Sequence, residues 1–281
     1  MNKQLLLLIG GSALIASLFF FGRTVAKKER PAAAQQAMAV KSFDIKQFIE
    51  ESKKALTPAQ VAYINKVENS ITKEDISHQI HANNELALFW RDSGKLVEPY
   101  VYYISEAAKL DNSEKNLTFA AQLILQALRG EQDDAKINWE AEQAISLFES
   151  AIKLNPTNDT LKVGLGSCYV FGKGRVGGSA ETMKGIQQLL EVVRRDSTNM
   201  EAQLVLGIGG YTSGQYDKAT ERLLKVVKAQ PDNVQAIAFL ADTYAATGQK
   251  AEAIKWYTIS KRKINDAHYS KEVDARIKEL Q

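Results

Sequence analysis

Cysteine occurs once in the 281 residues, at Cys168, and histidine three times, at His78, His81 and His268. The lone thiol excludes an intramolecular disulfide and leaves the redox compartment unread. With no histidine near it in sequence, it reads as a small buried helix residue and not as a nucleophile. His78 and His81 stand i,i+3 on a predicted helix, a spacing at which two imidazoles can share a metal, but no third ligand lies nearby and no metal site is assigned. Glu131, Asp133 and Asp134 lack the alternating oxygen-ligand spacing of a calcium loop. The chain also lacks a Gly-x-Ser-x-Gly elbow, a His-Glu-x-x-His helix and any general acid/base pair, so no catalytic residue, no cofactor and no enzymatic activity is expected. An excess of one charge is missing too. Lys and Arg total 36 against 33 Asp and Glu, interleaved to a net +3, which leaves no electrostatic footprint for nucleic acid.

One Gly-rich segment invites a phosphate-binding reading, Gly164 to Gly178, with the sequence GLGSCYVFGKGRVGG. A phosphate-binding loop needs glycine, four residues and then Gly-Lys-Ser/Thr. Here Gly172-Lys173 is followed by Gly174, and Ser167 stands where the first glycine belongs. No strand precedes the segment, as a dinucleotide fingerprint requires. What remains is a loop from Lys173 to Ser179, basic at Lys173 and Arg175, that reads as a contact site. An enzyme or nucleotide binder using residues 172–179 is the function these residues support least.

The apolar run that stands out is at the N-terminus, LLLLIGGSALIASLFFFG, 18 uncharged residues from Leu5 to Gly22. It is long enough for a single membrane-spanning helix. A cleaved signal peptide, with Thr24-Val25-Ala26 as its small-x-small site, is the alternative. Arg23, Lys27, Lys28 and Arg30 outweigh Lys3 and the terminal amine, which favours a cytoplasmic body at a cell inner membrane, although the side stays open. Residues 23–42, Ala/Gln-rich behind Pro31, read as a flexible tether.

From Met200 to Asn265 one pattern occurs twice at a spacing of 34 residues. Leu206, Gly207, Gly214, Ala219, Leu223 and Pro231 occupy the same offsets as Leu240, Ala241, Gly248, Ala253, Tyr257 and Asn265. A period of this length marks a repeat whose units cannot bury their own apolar faces and must stack. Gly207, Ala219, Ala241 and Ala253 fall where two helix axes approach, with larger residues beside them. Gly214 and Gly248 fit helix ends that need positive φ. The pattern resembles the tetratricopeptide repeat, in its bacterial, N-terminally anchored form, with Tyr244 as the aromatic of the last copy and Gly210-Tyr211 a slightly degenerate version in the copy before.

Weaker copies precede these. Trp90, Gly94, Tyr103 and Ala107 resemble a repeat with one inserted residue. Phe119, Ala120 and Leu123 pair with Ala144, Phe148 and Ala151 across an acidic connection from Gly130 to Asn138. A further unit from Asp159, with Leu165-Gly166, Tyr169, Gly185 and Leu189, is overlong by seven residues within Gly172 to Thr182. Helix starts are read at Asp44, at Thr57-Pro58, at Thr72 with Asp75, and at Ser270. The expected organisation is a transmembrane helix at 5–22, the tether at 23–42, N-terminal helices at 43–84, repeats at 85–268 and a capping helix at 269–281. The fold class is all-α, an α-solenoid of stacked helix-turn-helix repeats.

The resemblance implies a concave groove lined by the first helix of each hairpin. Val163, Val170, Phe171, Leu204, Ile208, Tyr211 and Asp242 are the residues it would place there, giving an apolar surface with Phe171 and Tyr211 as anchors. Such a groove implies a protein or peptide partner, either an amphipathic helix or an extended apolar segment. The function expected is therefore a membrane-tethered interaction scaffold. The alternative is a self-associating assembly factor whose groove is filled by its own helices.

Overall fold

In a computed structural model, which describes residues 42–71 and 75–281, all regular elements are helical. The expected membrane span and tether, at 5–22 and 23–42, fall outside the described residues except for Ser42. Among the described residues no helix is long and apolar enough to cross a membrane.

Two short helices come first, α1 (Ile45–Lys53) and α2 (Pro58–Ser70). Asp44 caps α1 by accepting from the amides of Lys46 and Gln47, at 2.9 and 3.1 Å. Thr57 and Gln60 form a reciprocal capping box at the start of α2, with Pro58 in the first turn. Lys53 is buried, and its ammonium donates to Glu50, Asn65 and Glu68 at 2.7, 3.1 and 2.6 Å. The Tyr103 hydroxyl donates to the other oxygen of Glu68 at 2.7 Å. One satisfied polar cluster thus ties both leading helices to the solenoid behind them.

Five hairpins follow. They pair α3 (Ile76–Phe89) with α4 (Val97–Asp111), α5 (Glu114–Gly130) with α6 (Asp134–Leu154), and α7 (Asp159–Cys168) with α9 (Ser179–Arg195). The last two are α10 (Met200–Thr212) with α11 (Tyr216–Ala229) and α12 (Val234–Ala246) with α13 (Lys250–Ile264). The first hairpin opens at Ile76, ahead of the expected start at 85. Each helix packs chiefly on its neighbours in sequence, the one-dimensional stacking that a solenoid requires. A single apolar core runs the length of the stack, from Ile45 to Val273.

The small-against-large pairing takes physical form in the hairpins. A Cβ added at Gly207 would lie 2.8 Å from Leu223, and one added at Gly166 would lie 2.6 Å from Leu189. Gly214 and Gly248 adopt φ of +75° and +73°, and Asn112 and Asn265 end α4 and α13 in the same left-handed region.

Three expectations are corrected. The acidic stretch after Gly130 is no long connection, because Asp133 accepts from the amides of Ala135 and Lys136 and starts α6 at once. The excess residues lengthen that helix instead. The capping helix α14 (Ala267–Leu280) begins before Ser270, since Asp266 is the cap and accepts from the Tyr269 amide at 2.7 Å. At α3, Asp75 itself accepts from the His78 amide at 3.1 Å, and Thr72 lies outside the described residues.

Candidate functional site

Two first helices do not stop where a regular repeat would stop them. α3 continues into a π-helical turn, Trp90–Gly94, and α7 into another, Tyr169–Lys173. A π turn accommodates one more residue than an α turn, which is how the inserted residue near Trp90 is absorbed. After the second comes a one-turn helix α8 (Gly174–Gly177), then Gly178 at φ +78°. The overlong unit is thus helical where an open loop was expected.

Lys173 and Arg175, expected as contacts for a partner, are engaged with their own chain. The Lys173 ammonium donates to Asn138 and Glu142. Arg175 donates to the carbonyls of Glu131 at 3.0 Å and Leu128 at 3.5 Å, satisfying the C-terminal end of α5. This segment braces α9 and α7 against the α5–α6 turn. It also walls one side of a hollow of ≈ 520 Å³ on the outer face, opposite Glu142, Ile145 and Glu149 of α6.

The expected groove residues divide. Val163, Val170, Phe171, Leu204 and Ile208 are buried in the core, and of these five Val163 alone borders the open pocket described below. The cause lies in the glycines beside them. A Cβ at Gly209 would sit 3.3 Å from both Val170 and Ile186, and one at Gly164 would sit 2.3 Å from the Phe148 ring. Bare backbone lets neighbouring helices close over those side chains. Tyr211 stays half-buried, edge-on to Phe239 at 5.7 Å. Asp242 accepts from Tyr257 Oη and from Arg276 Nη1, both at 2.6 Å. Since Arg276 belongs to α14, the chain's own last helix takes up the groove's C-terminal end.

The open part of the inner face lies further back and is polar. α5, α7 and α10 together line a pocket of ≈ 350 Å³ with Gln122, Gln126, Arg129, Thr160, Ser167 and Glu201 beside Leu125 and Val163. Gln122, Gln126, Arg129, Thr160 and Glu201 are exposed. The Arg129 guanidinium lies 4.7 Å over the Phe171 ring and donates to Glu201 Oε1 at 3.1 Å. Phe171 is therefore the floor beneath an arginine. Toward the N-terminus a smaller hollow of ≈ 150 Å³ adjoins Ile80, Asn84, Ile104, Asn116 and Phe119. The expected apolar groove is thus a mixed one, apolar near Phe119 and polar from Gln122 to Glu201. Phe119, expected to pack against the second helix of its repeat, is exposed instead, and Gln122, Gln126 and Arg129, which follow it at helical spacing on α5 and carry no core task, were not anticipated.

Residues 211–271 match the tetratricopeptide repeat. That match runs from the end of α10 into the first turns of α14, the more regular end of the stack. Among solved structures, a thermophilic tetratricopeptide protein of Thermus thermophilus aligns at a TM-score of 0.50 with 15% identity, over 73% of this chain and 98% of its own. PilW, titled a widely conserved type IV pilus biogenesis factor, aligns at 0.48 with 21% identity, over 72% and 90%. YrrB, titled a tetratricopeptide protein with an unusual peptide-binding site, aligns at 0.46 with 17% identity, over 77% and 99%. A comparison with curated proteins finds no match. At these identities the likeness to the Thermus protein establishes the helical-repeat fold and nothing finer.

Proposed function

We propose that this chain is a membrane-tethered scaffold that holds a protein partner in the inner groove between α3 and α10 and catalyses nothing. One observation carries the reading: side chains from three successive first helices converge on one pocket and keep much of their polar surface free. Hydrogen-bonding groups held at fixed spacing on a rigid stack suit the backbone of an extended segment. The anchor is the Leu5–Gly22 run, whose length suits a bilayer, and residues 23–42 are the tether.

A photoreactive residue placed at Gln122 on the inner face, or at Glu149 on the outer face, tests this in cells. Position 122 is expected to capture a discrete protein that position 149 does not, and Thr160→Arg should abolish that capture while circular dichroism stays unchanged. Equal capture at both positions, or capture indifferent to Thr160→Arg, would overturn the groove reading. Release of the full chain from membranes by carbonate washing would overturn the anchor.

A further inference from the structure

Arg129 is the only cation among the residues lining the inner-face pocket. It is held in place unequally by its two partners. Beneath it lies the buried ring of Phe171, and moving the guanidinium away would uncover that ring. Facing it is Glu201, the more exposed of the pair, with 51% of its side chain open against 36% for Arg129. An ion pair this exposed contributes little to stability, so its carboxylate exchanges at little cost. The arginine is the fixed half and the glutamate the replaceable one.

We propose that Arg129 anchors a glutamate or aspartate side chain of an extended partner segment, which takes the place of Glu201. This rests on the groove reading above and specifies its ligand. A basic ligand, drawn instead to Glu201, would strip Arg129 of its counter-charge while leaving it stacked over Phe171. An acidic one preserves the charge balance at the fixed group and can engage the guanidinium fork through two oxygens.

The rest of the stripe on α5 sets the spacing. Gln122 and Gln126 are exposed on the same side and offer amide donors and acceptors to a peptide backbone. Phe119, 54% exposed beside the smaller hollow, suits an apolar side chain. Ten positions of helix from Phe119 to Arg129 span ~15 Å at the usual rise. An extended chain covers that distance in about four or five residues. The partner segment therefore carries an apolar residue and an acidic one, four or five positions apart.

Fluorescence anisotropy of the full-length chain with two labelled octapeptide pools tests this. Both pools carry Leu at the second position and randomised Gly, Ser and Asn elsewhere, with Glu at the sixth position in one and Gln in the other. The Glu pool is expected to bind at least tenfold tighter. Arg129→Gln should erase that preference, and Glu201→Gln, an exposed change that leaves the stack intact, should tighten the Glu pool. Equal binding of the two pools in every variant overturns the acidic anchor and leaves the groove reading standing. If neither pool binds, the anchor falls, and capture at position 122 then decides the groove reading on its own.

Discussion

Gly185 and Gly130 are both helical, yet their surroundings differ. A Cβ at Gly185 would lie 2.6 Å from the Gly166 carbonyl oxygen and 2.7 Å from the Tyr169 Cβ, where α7 and α9 cross with backbone against backbone. Nothing lies within 4 Å of the same atom at Gly130. Alanine gains up to about 1 kcal/mol of helix propensity over glycine at either site. At Gly185 an overpacking cost of roughly 1–3 kcal/mol opposes that gain, and a backbone carbonyl cannot step aside as a side chain can. Gly185→Ala should therefore lower the thermal midpoint while Gly130→Ala leaves it level or raises it. Gly248→Ala should lower it as well despite the open space around it, because φ of +73° costs an L-residue roughly 1–2 kcal/mol. Scanning calorimetry of the three variants checks this order, and a destabilised Gly130→Ala or a neutral Gly185→Ala would break it.

At the scale of elements, the join between α4 and α6 holds a carboxyl with no hydrogen-bond partner for one of its oxygens among the described residues. Glu140 is 1% exposed and its Oε2 accepts no hydrogen bond, while Glu98 on α4 is paired with Lys136 one turn earlier on α6. Burial, reinforced by the charges of Glu131 and Glu98 and opposed by Lys136, pushes the Glu140 carboxyl from 4.5 up to about 8. The folded state therefore binds this proton more tightly than the unfolded chain does. Its contribution is full below about pH 4.5 and is lost as pH rises toward 8, a change on the order of a few kcal/mol. Glu140→Gln should flatten that part of the curve and raise stability at pH 8 relative to the parent. Urea titrations of both chains from pH 5 to 9 read the difference directly, and parallel curves would contradict it. Lys136 also faces the rings of Phe43, just before α1, and Phe48 on α1, at 5.9 and 5.2 Å. None of this was legible in the sequence, where Glu140 looks like any helical glutamate. By contrast the α12–α13 hairpin was legible almost to the residue, because Gly248, Ala241 and Ala253 carry the period in residue type. The π turns escaped notice because a residue absorbed by i→i+5 bonding leaves no residue-type signature. The groove was misplaced for a related reason. Whether Val163 or Ile208 faces water depends on how closely the glycines beside them let neighbouring helices approach, and no single helix's pattern records that.

For the molecule as a whole, stacking confined to neighbours means that no single distant contact holds the stack together, so damage should stay near where it is made. The C-terminal end is the place to see it. Val273 on α14 is 1% exposed, Ile277 and Leu280 pack beside it, and Arg276 ties the helix to Asp242 and lies over the Tyr257 ring at 5.9 Å. Replacing Val273 by Asp forces a charge into that contact and should release α14, leaving the apolar faces of α12 and α13 covered on one side only. Amide exchange is then expected to accelerate by at least tenfold from 234 to 264, by less in α10 and α11, and not at all in α4 to α6. Arg276→Gln, which removes the tie and keeps the buried valine, should give the same gradient in a weaker form. A uniform loss of protection along the chain would show instead that the hairpins unfold as one body, and the one-dimensional picture of this stack would have to be abandoned.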